Sequence, residues 1–180
     1  VENTDSGTDP PPLGKKIDRE TLDERNFQVI LNQVNDENPS YRTRAIESLG
    51  RIGDQRATGP LLGLLPTAEP EIAYVIVRAL GKLRDPMAVD PLIRCLDSPD
   101  RWLRQGAAWA LGEIGDPKAV EPLIRHLADS REKVRSEIAQ AIGKLGDDDA
   151  VAGLERFIIG EDDPEVRHSA RQAIKMIHGS

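Results

Sequence analysis

The chain has 180 residues and a net charge of −7, with 31 Asp and Glu against 24 Lys and Arg. That balance argues against a protein that tracks nucleic-acid phosphates, which would carry a basic stripe. Its single cysteine, Cys95, excludes an internal disulfide and a cysteine cluster for zinc or iron–sulfur.

No run approaches the ~18 apolar residues of a membrane-spanning helix. A soluble, cytoplasmic chain with neither a nucleic-acid partner nor a membrane span is therefore expected. The length suits one domain with a substantial core, or one short solenoid.

Residues 1–16 contain Pro10-Pro11-Pro12 and lack apolar periodicity, so a flexible N-terminal tail is expected there. From Ile17 to Val34 the apolar residues Ile17, Leu22, Phe27, Ile30, Leu31 and Val34 mark an amphipathic helix. Asn38-Pro39 breaks it, and a second helix carries the chain to Ile52.

That helix pair then recurs. Leu49-Gly50-Arg51-Ile52-Gly53-Asp54 returns as Leu80-Gly81-Lys82-Leu83-Arg84-Asp85, as Leu111-Gly112-Glu113-Ile114-Gly115-Asp116 and as Ile142-Gly143-Lys144-Leu145-Gly146-Asp147. The glycines at 50, 81, 112 and 143 are 31 residues apart. Ile174-Lys175-Met176-Ile177-His178 closes the series one residue late. A fixed period of this size marks a stacked array. The expected fold class is all-α: an α–α superhelix of five helix pairs, over one domain at 17–180 with units 17–53, 54–84, 85–115, 116–146 and 147–178.

Within a unit, Asp85-Pro86 and Asp116-Pro117 read as helix starts, the carboxylate capping free N–H groups and proline taking the first turn. A second proline at 60, 91 and 122 is expected to bend this first helix or delay its regular start. The second helix carries an apolar stripe, Leu103, Ala107, Leu111 and Ile114 in one unit and Val134, Ile138, Ile142 and Leu145 in the next. Beside it runs the glycine line. Glycine inside a helix costs about 1 kcal/mol against alanine, so its recurrence requires close approach of a neighbouring helix. Arg171 and Lys175 stand on this line in the last unit, where charge predicts a water-facing end.

The pattern Asp-Pro-x-Ala-Val-x-Pro-Leu-Ile, then Val-Arg, then Ala-Leu-Gly-x-Ile-Gly-Asp resembles a HEAT-like repeat of the subtype named after phycobilisome lyases. The resemblance covers residues 17–178, about nine-tenths of the chain. It implies a right-handed superhelix, with first helices on the convex side and second helices lining a concave groove. It also implies a structural ladder in which Arg42, Arg104, Arg135 and Arg167 tie helices to the turns that carry Asp54, Asp85, Asp116 and Asp147. Ala73 interrupts the arginine series, so the second unit is expected to be looser. The first unit departs from the pattern, with Val29 in place of proline and Tyr41 in place of Val or Leu, and reads as a cap.

Metal and nucleophile motifs are absent. His126, His168 and His178 sit in different units, and none begins the His-Glu pair that holds iron in a related HEAT-type hydroxylase family. Cys95 takes a slot filled by Leu64 or Phe157 elsewhere and reads as a partly buried filler. No enzyme is expected, and no metal or cofactor.

In the geometry that the resemblance implies, positions about 100° around the second helices from the core stripe face the groove. They comprise Arg44, Glu47 and Arg51 in the first unit; Glu71, Val75, Arg78 and Lys82, with Tyr74 alongside, in the second; and Trp102, Gly106, Trp109 and Glu113 in the third. Glu137 and Gln140 follow in the fourth. Both tryptophans thus lie on one helix face with a glycine between them. Covering a loose seam is the plain reading of that pair; a notch for an inserted side chain or flat ligand is the functional one.

The leading expectation is a non-catalytic interaction module, a monomer or one subunit of a hetero-complex. A protein or peptide would seat on Tyr74, Trp102 and Trp109, with Arg44, Arg51, Arg78 and Lys82 steering acidic segments. The alternative implied by the resemblance is a phycobilin lyase subunit or bilin chaperone, with the paired indoles stacked on a tetrapyrrole.

Overall fold

The computed structural model describes residues 19–179. The tail expected over 1–16, and the first residues of the helix expected from Ile17, lie outside them. Ten α-helices and no strand are found among the described residues. They are α1 (Arg19–Gln33), α2 (Pro39–Ile52), α3 (Thr58–Leu64), α4 (Pro70–Leu83), α5 (Val89–Cys95), α6 (Arg101–Ile114), α7 (Val120–Arg125), α8 (Glu132–Leu145), α9 (Val151–Gly160) and α10 (Pro164–His178).

The helices pair in sequence, and α2, α4, α6, α8 and α10 also pack on one another in series, forming one layer of a two-layer solenoid. Leu61, Leu92, Leu123 and Leu154 from the first helices meet Ile46, Ile76, Leu80, Leu111, Ile138 and Ile142 from the second helices, all inaccessible to solvent. The core is therefore a continuous seam along the array.

Local chemistry explains why each first helix starts late. Asp54, Asp85, Asp116 and Asp147 accept hydrogen bonds from the backbone N–H two residues on, at 2.8–3.0 Å. Each opens a single 3₁₀ turn before the regular helix begins. Pro60, Pro91 and Pro122 fall in the first turn of α3, α5 and α7, where a backbone N–H has no partner within the helix. Asn38, Asp100 and Asp163 cap the second helices α2, α6 and α10. Three second helices end on a left-handed glycine, and Arg84 takes that place after α4 with φ 51°.

The glycine line is where neighbouring second helices touch backbone to backbone. A Cβ on Gly50, Gly112 or Gly143 would lie 2.9, 2.9 or 2.7 Å from the Cα of Ala79, Ala141 or Ala173. Gly81 meets Ala110 in the same way, at 2.8 Å. At the far end Arg171 and Lys175 are exposed on α10.

The ladder has different acidic partners from those expected. Arg42 pairs with Glu69, Arg104 with Asp129 and Arg135 with Glu161, each reaching the turn before the next second helix. The same guanidinium groups donate to Asp36 O, Ser98 O and Asp129 O in the turn before their own helix. Asp54, Asp85, Asp116 and Asp147 take no part in these pairs, because their oxygens are committed to the 3₁₀ starts of the first helices; Asp54 additionally pairs with Arg56. Arg167 has no acidic partner within 4 Å among the described residues.

The gap at Ala73 is matched on the other side. Ser98 stands where the next units have Asp129 and Glu161, so the arginine and its acid are missing together. Ala73 itself is 4% exposed, so no solvent-filled gap is left where the arginine would stand. A lone acid at Ser98, or a lone arginine at Ala73, would be a poorly solvated charge without a partner.

Candidate functional site

The surface of the second helices carries the residues singled out by the repeat. Arg44, Glu47 and Arg51 on α2 are exposed, as is Lys82 on α4, while Val75 and Arg78 are half-buried. On α8 Glu137 is half-buried and Gln140 exposed. Several of these side chains serve neighbouring units. Glu113 accepts from Lys144 at 2.6 Å and from Arg84 at 3.0 Å. Its carboxyl is held below the usual carboxylate range, first by the Lys144 hydrogen bond and then, against desolvation, by Arg84. Glu137 accepts from Gln105 at 3.5 Å, and Gln140 donates to Ser136 at 3.3 Å.

The two tryptophans part company. Trp109 packs into the seam between α4 and α6: a Cβ on Gly81 would lie 2.6 Å from its ring carbon Cζ3. The guanidinium of Arg78 lies 3.5 Å from the centre of the same ring. Trp109 is therefore a packing residue, and Arg78 is committed to it. Trp102, about two helical turns nearer the start of α6, is 47% exposed.

The notch expected between the indoles is filled. A Cβ on Gly106 would lie 3.2 and 3.3 Å from Cδ2 and Cε2 of Tyr74, so the phenol ring of α4 occupies that space. The same register holds a polar pair in the following interfaces, Gln105 with Glu137 and Ser136 with Ser169. Tyr74 and Gly106 are thus complementary: the ring fits because the facing residue has no side chain.

What remains open lies at the start of α4 and α6. Pro70, Glu71, Tyr74, Asp100 and Trp102 line a cleft of about 300 Å³. Tyr74 is half-buried and supplies one aromatic wall, while Trp102 supplies the other. Glu71 is exposed, and Asp100 is fixed by accepting from the N–H of Leu103 at 2.8 Å. Arg101 lies over the indole of Trp102, 4.7 Å from the ring centre. The repeat singled out Trp102, Tyr74 and Glu71 but not Pro70 or Asp100, whose helix-starting roles hid their place in the cleft wall.

A family model described as HEAT repeats matches residues 27–109, 60–134 and 96–175. The chain belongs to the HEAT-repeat family. Its fold is similar to a chain from the complex of CpcE and CpcF of phycocyanin lyase from Nostoc sp. PCC7120, at 22% identity and a TM-score of 0.72, covering 97% of this chain and 70% of that one. An engineered protein aligns at 20% identity and a TM-score of 0.66, over 89% of this chain and 82% of the other. A designed armadillo repeat protein in complex with the peptide (KR)4 aligns at 19% and 0.64, over 88% and 84%. A search of curated proteins finds no sequence match.

The other chemical candidates in this HEAT-repeat chain are structural. His126 bridges two units, with Nδ1 2.7 Å from Pro122 O and Nε2 3.0 Å from Asp97. Cys95 is half-buried, and burial pushes its thiol up, away from reactivity. Among the described residues no three His, Cys, Asp or Glu side chains cluster as metal ligands, and no helix is long and apolar enough to cross a membrane.

Proposed function

We propose that this HEAT-repeat chain is a non-catalytic interaction module that holds a segment of a partner protein against its second-helix face, the side the family presents as a groove. The observation that carries this reading is Trp102: an indole left 47% exposed beside Tyr74, in a cleft, on a helix whose core positions are already filled. Tryptophan and tyrosine are the side chains that most often anchor interfaces. The exposed cations Arg44 and Arg51 on α2 and Lys82 at the end of α4 belong to the same layer of second helices and suit acidic stretches of the same partner. Fold-level analogy points the same way, since one similar structure holds a peptide and another belongs to a two-protein complex.

The alternative, a lyase subunit or bilin chaperone, rested on a flat slot between two indoles. Tyr74 fills that slot, which favours the peptide reading. Comparing the tagged wild-type chain with Trp102→Ala as baits in native-host extract tests it. The variant should keep its helical circular dichroism and lose the partner that the wild type enriches; undiminished capture would contradict the proposal.

A further inference from the structure

We infer that the cleft between the starts of α4 and α6 takes a cationic side chain, an arginine or lysine, presented by the partner segment. This deepens the proposed interaction role and rests on it. The argument is one of charge and ring chemistry. Tyr74 and Trp102 offer aromatic walls, whose negative faces attract a cation. Glu71 and Asp100 stand in the same wall, so two carboxylates border a space that is otherwise walled by apolar and aromatic surface.

Neither carboxylate is held in an ion pair among the described residues. Glu71 has no hydrogen-bond or ion-pair partner among the described residues. The Asp100 side chain accepts only from a backbone N–H, at Leu103, and feels the Arg104 guanidinium through its field without pairing with it. The ladder acids Asp129 and Glu161, by contrast, are each gripped by a guanidinium. This part of the surface is thus an acidic, aromatic spot on a face whose neighbouring cations, Arg44, Arg51 and Lys82, have the opposite sign.

A guanidinium already lies against one of the rings. Arg101 approaches the Trp102 indole to 4.7 Å from its own helix, so the ring accepts that group in this setting. An incoming arginine would compete with it. Removing Arg101 is therefore expected to leave binding of the cation at least as tight.

The chain has two tryptophans and hence two indole N–H signals in an NMR spectrum, one reporting on the cleft and one on the seam. We would titrate the full chain with N-acetyl-arginine amide and, separately, with N-acetyl-glutamate amide. The arginine probe should shift the Trp102 signal saturably while leaving Trp109 in place, and the glutamate probe should do neither. Glu71→Gln with Asp100→Asn keeps the helix cap, because Asn caps as well as Asp, and should weaken the arginine probe about five- to tenfold, in line with two exposed ion pairs. Arg101→Ala should bind at least as tightly as the wild type.

No saturable shift at Trp102, an equal response to the glutamate probe, or unchanged affinity in the carboxylate variant would each overturn the inference. If the arginine probe fails while Trp102→Ala still abolishes partner capture, the cation is wrong and the interaction module stands. If capture also survives the substitution, both fall.

Discussion

The phenol ring of Tyr74 on α4 lies over the backbone of Gly106 on α6, 3.2 Å from where a Cβ would be. Each residue makes sense only with the other. Gly106→Ala in the wild type gains helix propensity but presses on the ring, so we expect little net change. In a Tyr74→Ala background the same substitution should stabilise the fold by about 1 kcal/mol, the ordinary Gly-to-Ala gain within a helix. A urea-unfolding double-mutant cycle reads the difference; additive effects would mean that the ring does not rest on Gly106.

The glycine line predicts one substitution with two signs. Gly143→Ala would put a methyl group 2.7 Å from the Cα of Ala173, forcing backbone to move, and should destabilise by about 1–3 kcal/mol despite the propensity gain. Gly63→Ala in α3 meets nothing within 4 Å and should stabilise by about 0.5 kcal/mol, as expected near a helix end. Thermal or denaturant unfolding of the two variants checks both.

These glycines show what the sequence made legible. A period of 31 with glycine at one register required backbone contact between neighbouring helices, and Ala79, Ala110, Ala141 and Ala173 supply it. Side-chain reach was harder to read. The ladder arginines run across a turn to Glu69, Asp129 and Glu161, whereas the more regular aspartates, Asp54, Asp85, Asp116 and Asp147, are taken up by local caps. Regular spacing identified conserved geometry within the chain, but not which of two nearby acids a flexible guanidinium would choose.

The tryptophans failed for a related reason. Helix geometry placed Trp102 and Trp109 on one face, but each ring's surroundings depend on the neighbouring helix. Arg78 and Gly81 draw Trp109 into the seam, and Tyr74 closes the notch. Trp109→Ala is therefore expected to cost about 3 kcal/mol of stability, the lower end of the range for losing a packed aromatic ring. Trp102→Ala should cost under about 1 kcal/mol, because nearly half of the residue is already in water. Circular-dichroism melts of the two variants separate the roles.

The ladder predicts a pH dependence. Glu161, its side chain 4% exposed, has its carboxyl held below the usual range, first by the hydrogen bond from Arg135. A depressed folded-state pKa contributes stability that is fully present above the unfolded value, about 4.3, and lost as pH falls through the folded value. Glu161→Gln removes that contribution and leaves a partly buried guanidinium, for a loss of about 2 kcal/mol at neutral pH. The gap between wild type and variant should narrow as pH falls below about 4; a constant gap from pH 7 to pH 3 would show that the ion pair is not its source.

The interruption at Ala73 and Ser98 can be repaired in the same terms. Ala73→Arg alone and Ser98→Asp alone should each destabilise by introducing a charge without its partner. Together they should recover about 1–3 kcal/mol relative to the sum of the single effects. Unfolding free energies of the four proteins in the cycle give the coupling, and its absence would mean that the two positions do not share the ladder geometry.

The central claim is that a partner segment seats on Trp102 and not on the packed Trp109. Partner capture by wild type, Trp102→Ala and Trp109→Phe, with folding of each verified by circular dichroism, tests it most directly. The account predicts capture by the wild type and by Trp109→Phe, and loss with Trp102→Ala. Capture that survives Trp102→Ala, with the helical signal unchanged, would contradict it.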